Sequence, residues 1–324
     1  MDNHFNKENL KNWQNNFFKL MDANGKSPNT IKNYKTDLQC FNNYLMHKQG
    51  HLDISGFEIS HIKDYGAYLD NKYNSHNSRR RRVQALRLFF DYLVERGAFN
   101  SNPVRKLPTS PKFLDIPRPT PFIDVKTLWV HLLEEEKNES DMAKLLALRN
   151  QVIMLLIYGA GLKVSDLQNI TTAQIFKGTS PRVLIHHPKR DSYTIPLPAI
   201  TSLVFDRYLE LLNTFKKKDN LEFNELLFNA NPYRILSGGL SARGLEIVFE
   251  ELRKKLMITL TPKSLRQACI FKWLGQDKAD NLIKEWLGLA PSYSLKLYKE
   301  HMSSHIYHDT FLEELYKNNL SKTN

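Results

Sequence analysis

Cysteine is scarce in this chain of 324 residues, and long apolar runs are missing. Cys40 and Cys269 have no metal-binding spacing, so the sequence indicates neither a disulfide framework nor a zinc site. The longest apolar run, Val152 to Tyr158, is too short to cross a bilayer. The first fourteen residues are polar and lack the apolar stretch of a signal peptide. We therefore expect a cytoplasmic protein with no membrane association.

The charge balance is strongly basic, with 46 Lys and Arg against 34 Asp and Glu and a formal net charge of +12. Residues 1–118 hold 19 of the basic and 11 of the acidic residues, so they carry +8 of that charge. Hydrophobic residues make up 41% of the chain, enough for buried cores, and the length favours two domains. A basic protein of this kind is suited to a polyanionic partner such as nucleic acid.

Helical periodicity dominates the first hundred residues. Ser27 followed by Pro28 predicts a helix start, with Ser27 as the N-cap. Apolar residues then recur at steps of three and four: Ile31, Tyr34, Leu38, Phe41 and Leu45. A second apolar face precedes Gly97, a good C-terminal cap: Val83, Leu86, Phe89, Phe90 and Leu93. Residues 1–106 are therefore predicted to form a small helical domain.

Four consecutive arginines precede this second face: Arg79, Arg80, Arg81 and Arg82. Successive helical residues point in different directions, so the four cannot share one ligand, and a solvated run is the alternative interpretation. In a basic domain, beside a helix start, we favour contact with DNA phosphates.

Proline is dense between Asn102 and Pro121, which disfavours helix and predicts an extended linker over residues 107–121. The remainder, residues 122–324, is predicted to be a second domain, mainly α, with a small antiparallel β-sheet. Its two strands, 183–187 and 192–197, flank a turn that contains Lys189 and Arg190. The predicted helices are 145–158, 200–215, 242–256, 263–274, 280–287 and an apolar-faced tail over 308–316.

Several short motifs occur in a fixed order in the second half. Gly161-Leu162-Lys163-Val164-Ser165-Asp166-Leu167 comes first, and Lys263-Ser264-Leu265-Arg266 follows. Leu289 lies 23 residues after Arg266, and Tyr298 lies nine residues after Leu289. This order and these gaps resemble the tyrosine recombinase family, of the phage integrase and Xer type. There a His-x-x-Arg box precedes a His or Trp by 23 residues, and the nucleophilic Tyr comes nine residues later.

The resemblance covers nearly the whole chain and implies a fold. The first domain would be the SAM-like core-binding domain, the second the α-rich catalytic-type domain, and the two would close on double-stranded DNA as a clamp. In such recombinases the C-terminal helix docks on a neighbouring subunit, which implies self-association or a mixed tetramer on DNA. Packing of that helix on its own domain is the alternative.

The resemblance also implies roles for individual residues. Tyr298 would attack a phosphodiester and form a 3′-phosphotyrosine, with no nucleotide cofactor and no essential metal. Arg266 and the residue at position 163 would hold the non-bridging oxygens. Lys189 on the hairpin would protonate the leaving 5′-oxygen, and Arg190 could occupy the same space.

Three positions depart from the family pattern. Lys163 replaces the first Arg, Lys263 the box His, and Leu289 the last His or Trp. Lysine lacks the bidentate fork, and leucine donates nothing, so we expect DNA binding with weak or lost cleavage. An active recombinase or integrase is the alternative. An unrelated helical RNA-binding protein would need the spacing to arise by chance.

Two smaller features receive structural interpretations. Ser165-Asp166 is expected to cap a helix and orient Lys163. The histidines His186, His187, His301, His305 and His308 lack a supporting carboxylate or Cys pattern, so surface histidines are favoured over a metal site.

Overall fold

The computed structural model describes residues 9–107, 116–187, 190–231, 233, 235–302 and 306–321. The chain forms two compact units that divide between Asp115 and Ile116. Each unit has its own hydrophobic core. Both are mainly helical, and the second contains a small antiparallel sheet, so the predicted fold class is confirmed.

The first unit is a helical bundle built on an aromatic core. Its elements are α1 Asn9–Ala23, α2 Pro28–Gln49, α3 Ile59–Lys72, α4 His76–Glu95 and a 3-10 helix, Pro103–Lys106. Helix α4 packs against the other three α-helices. Phe41 meets Phe57 edge to face, with 5.3 Å between ring centroids, and Phe89 and Phe90 are fully buried. Edge-to-face aromatic pairs add stability beyond the area that they bury.

The predicted boundaries of α2 and α4 match the structure. Ser27 accepts a hydrogen bond from the backbone N–H of Thr30 at 3.2 Å, and Pro28 opens the helix. Gly97, with a φ of 72°, follows the end of α4, and its N–H donates to the Val94 carbonyl at 3.0 Å. Helices α1 and α3 are not apparent in the sequence. Asparagines weaken the apolar periodicity of α1, and Gly66, a poor helix former, interrupts that of α3.

The second unit contains nine further α-helices and two small sheets within the described residues. The helices are α5 Phe122–Glu135, α6 Asp141–Met154, α7 Val164–Gln168, α8 Thr201–Lys218, α9 Ala242–Leu256, α10 Pro262–Gly275, α11 Asp280–Trp286, α12 Lys296–Glu300 and α13 Thr310–Ser321. The strands are β1 Ile175–Phe176, β2 Arg182–His187, β3 Arg190–Pro196, β4 Phe228–Ala230 and β5 Leu236–Gly238.

The predicted hairpin is present as β2 and β3, which pair antiparallel with Ile185 opposite Tyr193. The short strand β1 extends this sheet on the β2 side. Val183, Ile185 and Ile195 point into the core, so the period-two pattern of burial fixes the register. A second hairpin, β4 and β5, carries no clear pattern in the sequence because each strand has only three residues.

Helix α6 runs into a π-helical turn, Leu155–Gly159, at the centre of the second unit. Together they form a segment, Asp141–Gly159, that is long and apolar enough to cross a membrane. The uninterrupted apolar run within this segment, Val152 to Tyr158, is shorter. Its most apolar window is 78% buried inside the protein, as expected for the core helix of a globular domain.

The end of the predicted linker packs within the second unit. The Thr120 N–H donates to the Ser264 carbonyl at 3.0 Å, and the two hydroxyls lie 2.8 Å apart. The Tyr307 hydroxyl donates to the Thr120 carbonyl at 2.9 Å. The start of the proline-rich stretch is not extended, because Pro103 is the first residue of the 3-10 helix. Proline is tolerated there, since the first N–H of a helix has no partner within the helix. Residues 108–115 lie outside the described part.

A buried lysine ties the core of the second unit to its C-terminal segment. Lys272 on α10 is only 1% exposed, and its Nζ donates to the carbonyls of Tyr158 and Gly159 at 2.9 and 3.2 Å. The same ammonium lies 2.8 Å from Asp309 Oδ1, just before α13. Because the two carbonyls lie at the end of the π-helical turn, they accept hydrogen bonds from a side chain on another helix.

Replacing Lys272 by Met should destabilise the second unit by roughly 1–3 kcal/mol, because two buried carbonyls lose their donor and Asp309 loses its counter-ion. Urea unfolding followed by tryptophan fluorescence measures this, since three of the four tryptophans, Trp129, Trp273 and Trp286, belong to the second unit.

Lys254→Met is the matched control, because Lys254 is exposed on α9 and its Nζ pairs with Glu250 at 2.8 Å on the protein surface. That change should stay within about 0.5 kcal/mol. Equal unfolding midpoints for the two variants would contradict the role given to Lys272.

Candidate active site

Arg266 is the residue around which the candidate site is built. It lies in the second turn of α10, whose start is fixed by the Thr261 N-cap and by Pro262. Its Nε donates to the Gly161 carbonyl at 2.6 Å, and its Nη2 donates to the Leu287 carbonyl at 2.9 Å. One side chain thus brings together three segments that are far apart in the sequence.

The first of these segments carries Lys163. Gly161 has a φ of 64°, and a Cβ there would lie 2.8 Å from the Trp273 ring, so only glycine fits this turn. Lys163 is the N-cap residue of α7, and its backbone N–H donates to Asp166 Oδ2 at 3.1 Å. Its Nζ is 3.6 Å from Asp166 Oδ1. Asp166 therefore orients Lys163, as predicted, but from the third helical position and not from the cap.

The second segment carries Leu289. Leu287 ends α11, Gly288 adopts a φ of 68°, and the Leu289 N–H donates to the Lys284 carbonyl at 2.9 Å. The Leu289 side chain is half-buried against the hydrophobic core. This position therefore lies two residues from a direct contact of Arg266 but offers no side-chain donor.

Tyr298 lies on the short helix α12, which packs against α10. Its ring contacts Phe271, with 5.8 Å between centroids. Burial raises the pKa of the Tyr298 phenol, and neighbouring Tyr293 raises it further, whereas the Gln267 side chain and the charge of Arg266 lower the pKa.

The remaining predicted catalytic positions are less defined. Lys263 is exposed in the first turn of α10, three residues before Arg266. Lys189 lies outside the described residues, as does the Arg190 side chain, although the Arg190 backbone opens β3. Their roles stay predictions.

The arginine run divides between surface and interior. Arg82 is 8% exposed, and its guanidinium stacks 3.7 Å above the centroid of the Tyr73 ring. The charge of Arg82 is therefore held inside the first unit, and contact of this residue with DNA stays a prediction. Arg81 pairs with Asp37 at 2.9 Å.

The other two arginines of the run are half-buried. Arg79 pairs with Asp70 at 2.6 Å, and the intermediate exposure of Arg80 matches that of Arg79. Contact of Arg79, Arg80 and Arg81 with DNA remains a prediction.

Sequence reasoning misses two polar residues of the site region. Gln267 is 7% exposed beside Arg266, and its Oε1 accepts a hydrogen bond from the Arg118 N–H at 3.1 Å. Lys272 is buried as described above, and a single charge within the apolar segment Ala268 to Leu274 is the signal that could have revealed it. Gln267 carries no such signal.

The histidines do not form a metal centre in the described part of the chain, where no group of three His, Cys, Asp or Glu could hold an ion. His186 contacts Ser192, His301 contacts the Leu297 carbonyl, and His308 lies against the Phe122 ring. His305 lies outside the described residues.

Comparison with known proteins agrees with this arrangement. Residues 15–97 match the family model described as phage integrase, N-terminal SAM-like domain. Tyrosine recombinase XerC of Myxococcus xanthus is 29% identical over 276 residues, which cover 83% of this chain and 86% of the relative. Tyrosine recombinase XerC of Staphylococcus saprophyticus is 28% identical over 264 residues, covering 81% and 83%.

A solved structure shows the same fold. The lambda integrase tetramer bound to a Holliday junction superposes with a TM-score of 0.63 at 16% identity, covering 94% of this chain and 81% of that one. The sequence matches span both units, and the predicted order of motifs accompanies them. Together these similarities support a member of the tyrosine recombinase family.

Gly161→Ala tests the central contact. The substitution forces a side chain into a left-handed backbone and against Trp273, so we expect a loss of about 2 kcal/mol or more in unfolding free energy. Urea denaturation measures the effect. Gly275→Ala at the end of α10 is the control, because open space surrounds that position. Gly275→Ala should change stability by less than about 1 kcal/mol, and a similar small change for Gly161→Ala would contradict the prediction.

Proposed function

We propose that the protein binds double-stranded DNA as tyrosine recombinases do, and that its strand cleavage through Tyr298 is slow or lost. The observation that supports the proposal is the pair of hydrogen bonds from Arg266 to the carbonyls of Gly161 and Leu287, which lie two residues before Lys163 and Leu289 respectively. The basic charge of the chain favours a polyanion as the ligand. We also propose that it acts in the cytoplasm.

Named relatives and neighbours support DNA as the partner. The lambda integrase neighbour is bound to a Holliday junction, and the Tn1549 transposon integrase, with a TM-score of 0.60 at 15% identity, is in complex with circular intermediate DNA. By analogy, Arg79, Arg80 and Arg81 are proposed to contact the backbone phosphates of a duplex.

The substitutions determine the expected rate. In phosphoryl transfer, negative charge grows on the non-bridging oxygens, and rigid donors stabilise it. Lys163 supplies a charge but no bidentate fork, and Asp166 already competes for its ammonium at 3.6 Å. Loss of one well-placed donor costs roughly 10²–10³ in rate, and Leu289 removes another. Because Lys163, Lys263 and Arg266 keep their charges, DNA binding should suffer much less than turnover.

An active recombinase or integrase is the second candidate, because Arg266 and Tyr298 are both retained at the spacing of the family motifs. In that reaction the phenol oxygen forms a bond to phosphorus, the bond to the 5′-oxygen breaks, and that oxygen takes up a proton. The phenol proton leaves to a base or to solvent. Burial and Tyr293 raise the pKa of the Tyr298 phenol, and the charge of Arg266 acts in the opposite direction, toward the phenolate that attacks phosphorus.

Assembly on DNA is proposed to involve self-association or a mixed tetramer. Helix α13 buries Phe311, Leu312 and Tyr316 in its own unit, and Trp129 Nε1 donates to the Leu312 carbonyl at 3.1 Å. If α13 mediates the assembly by docking on a neighbouring subunit, it must first leave this packing.

A covalent adduct distinguishes the two candidates. A nicked suicide duplex traps any 3′-phosphotyrosine, because the released fragment diffuses away before religation. We expect tight binding by band shift with little or no adduct on denaturing gels. Any adduct should vanish in Tyr298→Phe, which keeps the ring packing on Phe271. Abundant, Tyr298-dependent adduct would favour the active enzyme, and absence of duplex binding at low salt would overturn the DNA-binding proposal.

Lys163→Arg addresses the cause of slow cleavage. The guanidinium restores the forked donor and reaches past Asp166, so adduct formation should rise by up to roughly 10²-fold. Lys254→Arg, on the exposed face of α9, should leave the rate unchanged. An unchanged rate for Lys163→Arg, with binding intact, would show that position 163 is not the limiting defect.

A further inference from the structure

A second tyrosine, Tyr307, lies nine residues after Tyr298 and is buried in the core of the second unit. Only 5% of Tyr307 is exposed. Within the described residues, Leu295 is the last buried residue before Tyr298, and Tyr307 is the first buried residue after it. The segment that carries Tyr298 is therefore anchored to the core at these two points.

One ring of α10 contacts both tyrosines. The centroid of the Phe271 ring lies 5.8 Å from that of Tyr298 and 6.2 Å from that of Tyr307. Phe271 is 1% exposed, and in a densely packed interior the position of such a ring is set by its neighbours. Tyr307 therefore forms part of the packing on which the Tyr298 ring rests. Tyr307 also meets the Phe122 ring edge to face, with 5.9 Å between centroids.

The Tyr307 hydroxyl is held by a backbone group. It donates to the Thr120 carbonyl at 2.9 Å. Thr120 is itself fully buried, and its N–H and its hydroxyl are bonded to the carbonyl and the hydroxyl of Ser264 at 3.0 and 2.8 Å. Burial and the charge of Asp124 raise the pKa of Tyr307 to about 12, so the phenol keeps its proton and stays a donor near neutral pH.

These contacts begin and end on α10. Ser264 and Phe271 lie about two turns apart on this helix. The path between them runs from Ser264 through Thr120 to Tyr307, whose ring returns to Phe271. Because Arg266 belongs to the same helix, a tyrosine ring that rests on Phe271 is placed relative to Arg266 as well.

We propose that Tyr307 is a positioning residue that holds the Tyr298 segment on α10, through its hydrogen bond to Thr120 and its ring contact with Phe271. The proposal rests on Tyr298 as the nucleophile of the proposed function. Tyr307 acts through Phe271 and does not itself attack phosphorus, because its hydroxyl is the anchor.

Hydrogen exchange of the full-length protein tests this anchor without requiring activity. Tyr307→Phe removes the hydroxyl and retains the ring, so the Tyr298 segment should open more often. The amides of Lys299 and His301 donate the backbone hydrogen bonds across α12. We expect them to exchange roughly 3- to 10-fold faster in Tyr307→Phe, as the loss of one hydrogen bond predicts. Mass spectrometry of peptides that cover α12 measures the change.

Tyr208→Phe is the matched control. Tyr208 on α8 is fully buried and donates its hydroxyl to the Leu226 carbonyl, as Tyr307 does to Thr120. Its replacement should leave exchange across α12 unchanged. If Tyr307→Phe leaves α12 unchanged, or speeds exchange in α9 as much as in α12, the hydroxyl serves only the general stability of the unit. Either result would overturn the proposal.

Thr120→Val is the second variant, in case Tyr307→Phe does not fold. It removes the hydroxyl contact with Ser264 and keeps the carbonyl to which Tyr307 donates. Since the anchor is weakened and not removed, α12 should exchange about 2-fold faster. Exchange at the wild-type rate in this variant would count against the path through Thr120.

Adduct formation separates this proposal from the proposed function. If wild-type protein forms the adduct, Tyr307→Phe should slow it roughly 3- to 10-fold with duplex binding unchanged, and Tyr208→Phe should not. Adduct at the wild-type rate in Tyr307→Phe would overturn the positioning role and leave the recombinase function standing. If wild-type protein forms no adduct, active cleavage fails, and faster exchange of α12 in Tyr307→Phe still supports the anchor.

Discussion

The second unit depends on one guanidinium. Arg266 is planar and permanently charged, and it has five N–H donors in a fixed fork. Two of these hold the carbonyls of Gly161 and Leu287, so the turn before α7 and the end of α11 are placed relative to α10 by a charge-assisted contact. Under the proposed function, the remaining N–H donors of Arg266 would bind a phosphate. The residue that would bind the substrate therefore also builds the site.

This dual role explains why substitutions at positions 163 and 289 leave the architecture intact. Both positions follow a contact of Arg266 by two residues, and the contacts use backbone carbonyls only. Side chains there can change without moving the chain. The identity of the side chains at these two positions is thus separable from the backbone contacts that hold the scaffold together.

The sequence predicts the parts of the fold that have strong local patterns. The Ser27 cap, the β2–β3 hairpin and α9 all match the structure because periodicity and capping chemistry are local. The burial of Arg82 is not apparent in the sequence, because stacking on Tyr73 depends on the packing of α4 against its neighbours. Gln267 was missed for a similar reason, since its hydrogen-bond partner Arg118 comes from a distant segment. The spacing of the motifs is enough to identify Arg266 and Tyr298 as candidate site residues. The contacts that orient their side chains are visible only in the folded structure.

The segment from Arg118 to Thr120, near the start of the second unit, is hydrogen-bonded to α10, the helix that carries Arg266. Thr120 bonds to Ser264, and Arg118 bonds to Gln267, both on α10. A fragment of the second unit that began at Phe122 would retain every motif residue yet lose both anchors. A substitution at Arg118 or Thr120 can consequently alter the support of α10, the helix that carries Arg266, although both residues lie outside the sequence motifs.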